Sequence, residues 1–228
     1  MEFNDLLEQE IENSSNPRNP RNIVEGIYSD VEVVSEDELR GQNKHLRSSI
    51  WNSQENIFIS DHHTKPLMPW MIAGNKWKGD DILLAHIDLH RDRKSYRANP
   101  ELLRDAYKSG DFLEFSRLGF VSEVMDIVEE FGLADEVCNW GSPVDKPSNH
   151  PEDLSPVTES YDRFILDVDL DVFKGIENQP PKGDWELNDV YSKISDLEQR
   201  ADLTTYVTSP GFIDQEKAVN YLENIREY

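Results

Sequence analysis

Two short segments of the chain place acidic and histidine side chains at alternate positions. These side chains are Asp88, His90 and Asp92 in the first segment and Asp167, Asp169 and Asp171 in the second. Because residues two apart in a β-strand point to the same face, each segment gathers three potential metal ligands on one side. Five carboxylates that converge in a dry interior repel one another and lose their hydration unless cations bind them. The spacing therefore predicts a site for two divalent cations.

Apolar runs indicate how the chain presents these segments. Residues 82–85 lead into the first segment and residues 164–166 into the second. Continuous apolar runs are typical of strands buried in a parallel sheet, which have no solvated face for polar side chains. Ile87 and Val168, which lie between the ligands, are then expected to point to the opposite face, toward a core.

Predicted helices alternate with the predicted strands along the chain. Further strands are expected at 57–60, 137–140 and 203–208, and helices at 66–74, in two or three pieces over 99–131, at 186–200 and at 214–226. This alternation predicts an α/β fold, a three-layer α/β/α sandwich with a mostly parallel sheet. Ligands bind such sheets beyond the carboxyl ends of the strands, so we expect the segments 61–63, 88–92 and 167–171 to converge there.

The residue types indicate which cations the site favours. One of the adjacent His62 and His63 is expected to complete the cluster, and the spacing does not distinguish them. His86 lies one step deeper on the same face and is expected to orient a carboxylate ligand without binding the metal. Carboxylate-rich ligation without a thiolate suits a hard cation, with Mn²⁺ the first expectation and Mg²⁺, Fe²⁺ or Zn²⁺ as alternatives.

A pair of such ions has a well-defined chemistry. Two divalent cations about 3.5–4 Å apart, bridged by an aspartate, hold a bridging water and lower its pKa, which produces a hydroxide nucleophile at neutral pH. An aspartate at the edge of the site can accept a hydrogen bond from that nucleophile and direct it. Asp92 is the candidate for this catalytic role.

Charge and composition limit the classes of partner. The 228 residues include 46 Asp and Glu against 23 Lys and Arg, a formal net charge of −23 at pH 7. This charge opposes binding to the phosphates of nucleic acids. The negative charge either keeps the surface solvated or attracts a cationic substrate such as an arginine side chain, and the sequence does not distinguish these two roles.

The length of the chain predicts one domain, and its apolar runs do not predict a membrane-spanning segment. No apolar run approaches the roughly 20 residues that span a bilayer, and the acidic start of the chain does not resemble a signal peptide. Cys138 is the single cysteine, which excludes an internal disulfide and favours a cytoplasmic location. We expect an acidic, partly mobile N-terminal extension over residues 1–55 and an α/β metal-binding domain over residues 56–228.

The motifs resemble those of a known superfamily. The Asp-x-His-x-Asp sequence at residues 88–92 is similar to that of arginases and agmatinases. Asp167-Val168-Asp169 is similar to a later motif of these enzymes, and Asp61-His62 is similar to an earlier one. Three longer sequence segments are closer to the motifs of the uncharacterised branch called UPF0489, which includes peptide arginases. These segments are residues 86–92, residues 166–173 and Ser209-Pro210-Gly211-Phe212, and the resemblance covers roughly residues 56–215.

The resemblance implies an arginase-like fold and a binuclear manganese site. The implied ligands are His62 or His63, Asp88, His90, Asp92, Asp167 and Asp169. Asp88 and Asp167 would bridge the ions, and Asp171 would either support a ligand or, if the register shifts, bind together with Asp169. The implied reaction is attack of metal hydroxide on the guanidinium carbon of arginine, which in the peptide-arginase branch lies within a peptide, to give ornithine and urea.

Two departures from the arginase pattern keep other functions open. Residues 93–149 contain no histidine where arginases place a proton shuttle. Arginases also hold the guanidinium with a glutamate after a late strand, and here Asp214 or Glu216 would have to bind the substrate instead. The alternatives are a hydrolase of another C–N bond, in the manner of deacetylase-like amidohydrolases, and a non-catalytic metal-binding protein. The sequence does not predict the oligomeric state.

Overall fold

The described residues form one six-stranded sheet with helices on both faces. A computed structural model of the chain describes residues 49–52, 55–90, 92, 99–119, 121–141, 158–178, 187–209 and 212–228. Most of the N-terminal extension expected over residues 1–55 lies outside these residues. Among the described residues, no helix is both long enough and apolar enough to span a membrane.

The six strands run through the middle of the fold. They are β1 (Ser49–Asn52), β2 (Ile57–Ser60), β3 (Ile82–Asp88), β4 (Glu136–Gly141), β5 (Arg163–Asp169) and β6 (Leu203–Val207). Their order across the sheet is β1-β2-β6-β5-β3-β4. β1 pairs antiparallel with β2, and all the other neighbours are parallel. No sequence pattern predicts β1, which lies within the segment assigned to the N-terminal extension. The division of the chain at residue 56 stays a prediction.

Seven helices cover the two faces of the sheet in the described part of the chain. They are α1 (Leu67–Lys76), α2 (Pro100–Ser109), α3 (Phe112–Leu118), α4 (Val124–Phe131), α5 (Asp171–Asn178), α6 (Leu187–Glu198) and α7 (Gln215–Glu227). Buried residues of α1 to α4 form one apolar core with one face of the sheet. Those of α5 to α7 form a second core with the other face. The predicted three-layer α/β/α fold with a mostly parallel sheet is confirmed.

The side chains of β3 divide between these two cores. Leu84 packs with α1 to α4, whereas Leu83 and Ile87 pack with α5 to α7. In β5, Ile165 packs on the first side and Val168 on the second. Because side chains alternate along a strand, the even-numbered residues of β3 and the odd-numbered residues of β5 share the face of α1 to α4. The expected burial of Ile87 and Val168 on the opposite face is confirmed.

Local sequence signals set the ends of α2. Asn99 precedes the helix and accepts hydrogen bonds from the backbone N–H groups of Glu101 and Leu102, and Pro100 occupies the first turn, where a missing N–H is harmless. Gly110 ends the helix with a φ of 71°, a left-handed conformation that glycine adopts without a Cβ clash. Leu103 and Ala106 then face the core.

Two adjacent leucines of α2 provide a matched test of this packing. Leu103 is completely buried, whereas Leu102 is 49% exposed. We expect Leu103→Ala to lower the free energy of unfolding by about 2–5 kcal/mol, because it leaves a cavity in the core. Leu102→Ala should change it by no more than about 0.5 kcal/mol. Urea denaturation of both variants measures the difference, and equal effects would contradict the placement of α2.

Candidate metal centre

The two acidic segments meet at the carboxyl edge of the sheet. β3 and β5 are hydrogen-bonded neighbours, with Ile87 opposite Val168. Asp88 ends β3 and Asp169 ends β5, and both side chains are completely buried. The predicted adjacency of these segments is therefore confirmed, and it brings their carboxylates together in the interior.

Asp88 lies at the centre of the cluster. Three groups of described residues hold potential ligand atoms within 4.8 Å of one another, and each group contains Asp88. The groups are His63 with Asp88 and Asp169, His86 with Asp88 and Asp92, and Asp88 with His90 and Asp171. The Asp88 carboxylate is therefore shared by all three groups. This is the arrangement that a bridging ligand between two cations requires.

His63, rather than the adjacent His62, belongs to one of these ligand groups. The side chain is buried, with Nε2 2.9 Å from Oδ2 of Asp169 and Nδ1 3.4 Å from Oδ2 of Asp92. His62 instead places Nδ1 3.0 Å from Oγ1 of Thr64 and accepts a hydrogen bond from the Thr64 backbone N–H. The geometry therefore favours His63 in the choice that the sequence leaves open.

His90 forms the outer side of the cluster. Its Nδ1 lies 3.2 Å from Oδ2 of Asp171 and 3.5 Å from Oδ1 of Asp88, and its side chain is 43% exposed. Asp171, the first residue of α5, is buried, and its backbone N–H donates to Oδ1 of Asp169 at 3.0 Å. Asp171 therefore contributes a carboxylate oxygen directly to a ligand group.

Asp167 lies one step deeper in the sheet and is used differently. It pairs in register with His86 on β3 and with Thr205 on β6. Nδ1 of His86 lies 2.7 Å from Oδ2 of Asp167, and Oγ1 of Thr205 donates to its other oxygen. Both oxygens of Asp167 therefore have partners within the sheet. The geometry favours Asp169 and Asp171, rather than Asp167 and Asp169, as the pair of potential ligands.

His86 connects this deeper row to Asp88. Its Nε2 lies 3.3 Å from Oδ2 of Asp88 while Nδ1 faces Asp167. The ring is thus held between two carboxylates, which agrees with the expected role of orienting Asp88. No sequence signal identifies Thr205 as part of this arrangement, because its contact depends on the register between β5 and β6.

Two residues of the site adopt a left-handed backbone conformation. Asp92 and Ser209 each have a φ of 45°, which costs a non-glycine residue on the order of 1 kcal/mol or more. Ser209 Oγ donates to Oδ1 of Asp169 at 2.6 Å and lies 2.8 Å from Nε2 of His63. The backbone carbonyl of Asp92 accepts a hydrogen bond from Met125 N–H. These contacts hold the two residues in their strained conformations beside the cluster.

The carboxylates raise the pKa of the histidines among them. Hydrogen bonding to Asp171, and then to Asp88, raises the pKa of His90 to about 10. Burial lowers the pKa of His63, but the charges and hydrogen bonds of Asp169 and Asp92 raise it well above its usual value. For Asp88, burial raises the pKa, but hydrogen bonds to His86 and His90 hold it well below its usual range. Positive charge is thus strongly favoured at the positions between these carboxylates.

The pKa values of Asp171 and Asp169 are raised, in contrast to that of Asp88. Burial raises the pKa of Asp171 to about 7, and the charges of Asp169 and Asp88 add to this effect while His90 opposes it. Burial also raises the pKa of Asp169. A divalent cation would relieve this repulsion, since it favours the ionised form of every carboxylate that it contacts.

The buried oxygen atoms fit divalent cations. Four buried Oδ2 atoms face imidazole nitrogens at 2.9–3.4 Å without forming a well-aligned hydrogen bond, and they belong to Asp88, Asp92, Asp169 and Asp171. Buried carboxylate oxygens that are not fully hydrogen-bonded are costly, and coordination to a cation satisfies them. Oxygen-rich ligation with a few imidazoles and no thiolate suits Mn²⁺ or a similar ion. The residues present therefore fit a metal centre.

Asp214 and Glu216, expected to bind substrate, have a different local role. Oδ1 of Asp214 accepts hydrogen bonds from the backbone N–H groups of Glu216 and Lys217 and caps α7. Both acidic side chains are exposed, and neither belongs to the three ligand groups. An N-cap explains the aspartate at this position. Binding of a cationic substrate by this pair stays a prediction.

Comparisons with known proteins find little similarity in sequence. No family model matches the chain, and no curated protein matches it. Among solved structures, the crystal structure of the arginase of Helicobacter pylori is similar with a TM-score of 0.41 and 12% sequence identity. The match covers 73% of this chain and 70% of the arginase chain. At this level of similarity, the roles of the site residues are inferred from the residues of this chain alone.

Asp88→Asn tests the central ligand. The asparagine amide keeps an oxygen that can accept the 2.9 Å hydrogen bond from the backbone N–H of His90, but it removes the negative charge. Loss of partners that merely support a ligand costs 10- to 100-fold in metal affinity, so we expect a loss of at least about 100-fold. The measurements are manganese content after dialysis and the manganese-induced rise in Tm. Wild-type metal content in the variant would contradict the central position of Asp88.

The two adjacent histidines provide a second matched pair. His63→Ala removes an imidazole from the cluster, whereas His62→Ala removes one that contacts Thr64. We expect His63→Ala to lower manganese affinity by about 10-fold or more and His62→Ala to leave it within about twofold. Isothermal titration with MnCl₂ measures both. The reverse order of effects would show that the other histidine is the ligand.

Proposed function

We propose that this chain is a binuclear metal-dependent hydrolase that cleaves guanidino groups, with arginine within a peptide as its substrate. The observation that carries the proposal is the position of Asp88, which is common to all three potential ligand groups. The motif resemblance to arginases and to the UPF0489 branch of peptide arginases supports the choice of reaction. Mn²⁺ is the proposed metal.

The proposed ligand set follows from the distances within the cluster. His63, Asp88 and Asp169 would hold one ion, with Asp92 next to His63. Asp88, His90 and Asp171 would hold the other. His86, between Asp167 and Asp88, would keep the shared carboxylate in place. This set uses the Asp169 and Asp171 alternative and leaves Asp167 as a support.

The residues around the ions would each have a part in hydrolysis. The chemistry that a pair of divalent cations supplies is a lowered pKa of water and stabilisation of negative charge in the transition state. Asp92 is buried at the edge of the cluster and would accept a hydrogen bond from the attacking water. Water would add its oxygen to the guanidino carbon, the bond from that carbon to the side-chain nitrogen would break, and a proton from the water would pass to the departing nitrogen, which gives urea and ornithine.

The charge and openness of the site suit a guanidinium group. The acidic cluster attracts a cation, and the formal net charge of −23 extends this attraction to a distance. The half-exposed His90 marks the side on which the cluster meets solvent. An arginine side chain in a peptide is long enough to reach such a site while its backbone stays outside.

Urea release tests the proposed reaction. Manganese-loaded protein should release urea from an arginine-containing peptide, and mass spectrometry should detect ornithine in that peptide. We expect Asp92→Asn to lower kcat by about 100- to 10,000-fold, as for loss of a group that assists proton transfer. Asp111→Asn is the matched control, because Asp111 is exposed and caps α3 through Glu114 N–H, a role that asparagine also fills.

Two results would contradict the proposal. Hydrolysis of an acetyl-lysine peptide without urea release would indicate the amidohydrolase alternative. Binding of two manganese ions without hydrolysis of either peptide would indicate a non-catalytic metal-binding protein.

A further inference from the structure

Phe212 is an exposed aromatic side chain beside the candidate metal centre. The side chain is 44% exposed, although it lies next to a cluster of charged groups. Its ring centroid is 5.1 Å from that of His90 and 5.8 Å from that of His63. These two histidines belong to different ligand groups that share Asp88. The phenyl ring therefore covers part of both groups at the boundary with solvent.

The backbone holds this ring in place from inside the site. The N–H groups of Phe212 and Ile213 both donate to the carbonyl of Ser209, at 2.8 and 3.1 Å. Ser209 is itself bound through Oγ to Asp169, and Ile213 is buried in the core with α5 to α7. Lys174 donates to the carbonyl of Phe212 from α5. The backbone of Phe212 is thus anchored on both sides, while its side chain stays partly exposed.

An aromatic face beside buried carboxylates is suited to a particular type of ligand. A cation within about 6 Å of a ring centroid is attracted by the negative face of the ring. Arginine gains more than lysine from such a site, because its guanidinium is planar, stacks on aromatic rings and is weakly hydrated. A neutral isostere of arginine keeps the shape but loses the charge.

We infer that Phe212 is a specificity-determining residue whose ring forms one wall of the substrate site and stacks against the guanidinium group of arginine. The inference rests on the proposed function for the identity of the ligand, and it adds the residue that distinguishes arginine from lysine. The carboxylates provide the charge complementarity, and the ring provides the selection for a planar cation.

Binding of three peptides tests this role. The peptides are identical except for arginine, lysine or citrulline at one position, and each is titrated calorimetrically into the full-length, manganese-loaded protein. Every protein titrated, including the one with the wild-type residue at position 212, carries Asp92→Asn so that hydrolysis during the titration is slowed. We expect the arginine peptide to bind most tightly to the wild type. Phe212→Leu should weaken its binding roughly 3- to 30-fold while changing the lysine and citrulline peptides less. Phe212→Trp should keep the preference, because an indole offers an equivalent face.

Two controls separate stacking from a structural role. The manganese content of Phe212→Leu should equal that of the wild type, and its effect on urea release should fall on KM rather than on kcat. Tyr228→Leu, which removes another exposed aromatic ring at the far end of α7, should leave the binding of all three peptides unchanged.

Other outcomes of these experiments distinguish a failure of the role of Phe212 from a failure of the proposed hydrolysis. Unchanged arginine binding in Phe212→Leu, an equal loss for all three peptides, or a loss of manganese would overturn the inference, as would a wild type without preference for arginine. If the wild type releases no urea but shows an arginine preference that depends on the ring, the proposed hydrolysis fails and the role of Phe212 stands.

Discussion

The burial of several carboxylates around Asp88 is the constraint on which the rest of the site depends. Asp88, Asp169 and Asp171 are completely buried and Asp92 nearly so, where like charges repel strongly. Positive charge has to balance them, and the raised pKa values of His63 and His90 have this origin. The same field favours divalent cations. A neutral interior at this edge of the sheet would need none of these histidines.

The sheet order is what allows this concentration of charge. β3 and β5 lie side by side, so that Asp88 and Asp169 emerge together. β2 is farther away, and β6 lies between it and β5. Ser209, just beyond β6, spans this gap by contacting both His63 and Asp169. The strained backbone of Ser209 is maintained by these contacts, which is common where a structure holds side chains for chemistry.

Depth divides the site into a supporting part and a reactive part. The contacts of Asp167 with His86 and Thr205 lie within the sheet and give partners to both of its oxygens. His90 and Phe212 lie at the outer side and are partly exposed. An inner row that positions carboxylates beside a partly exposed outer side fits the proposed metal-dependent hydrolase.

Local sequence pattern was sufficient for most of the described elements and for the residue types of the site, although it did not predict β1 or α5. Apolar runs before Asp88 and Asp167 marked two buried strands, and alternation assigned Ile87 and Val168 to the opposite face, because these patterns depend only on neighbours along the chain. The convergence of the segments after β3 and β5 followed from the general rule for ligand sites in parallel sheets, whereas the direct pairing of these strands is set by the sheet order. The choice between His62 and His63, and that between Asp167 and Asp171, required tertiary structure, because each depends on which distant group lies within reach. The contacts of Thr205, Ser209 and Phe212 likewise depend on strand register and turn geometry, which no periodicity in the sequence encodes.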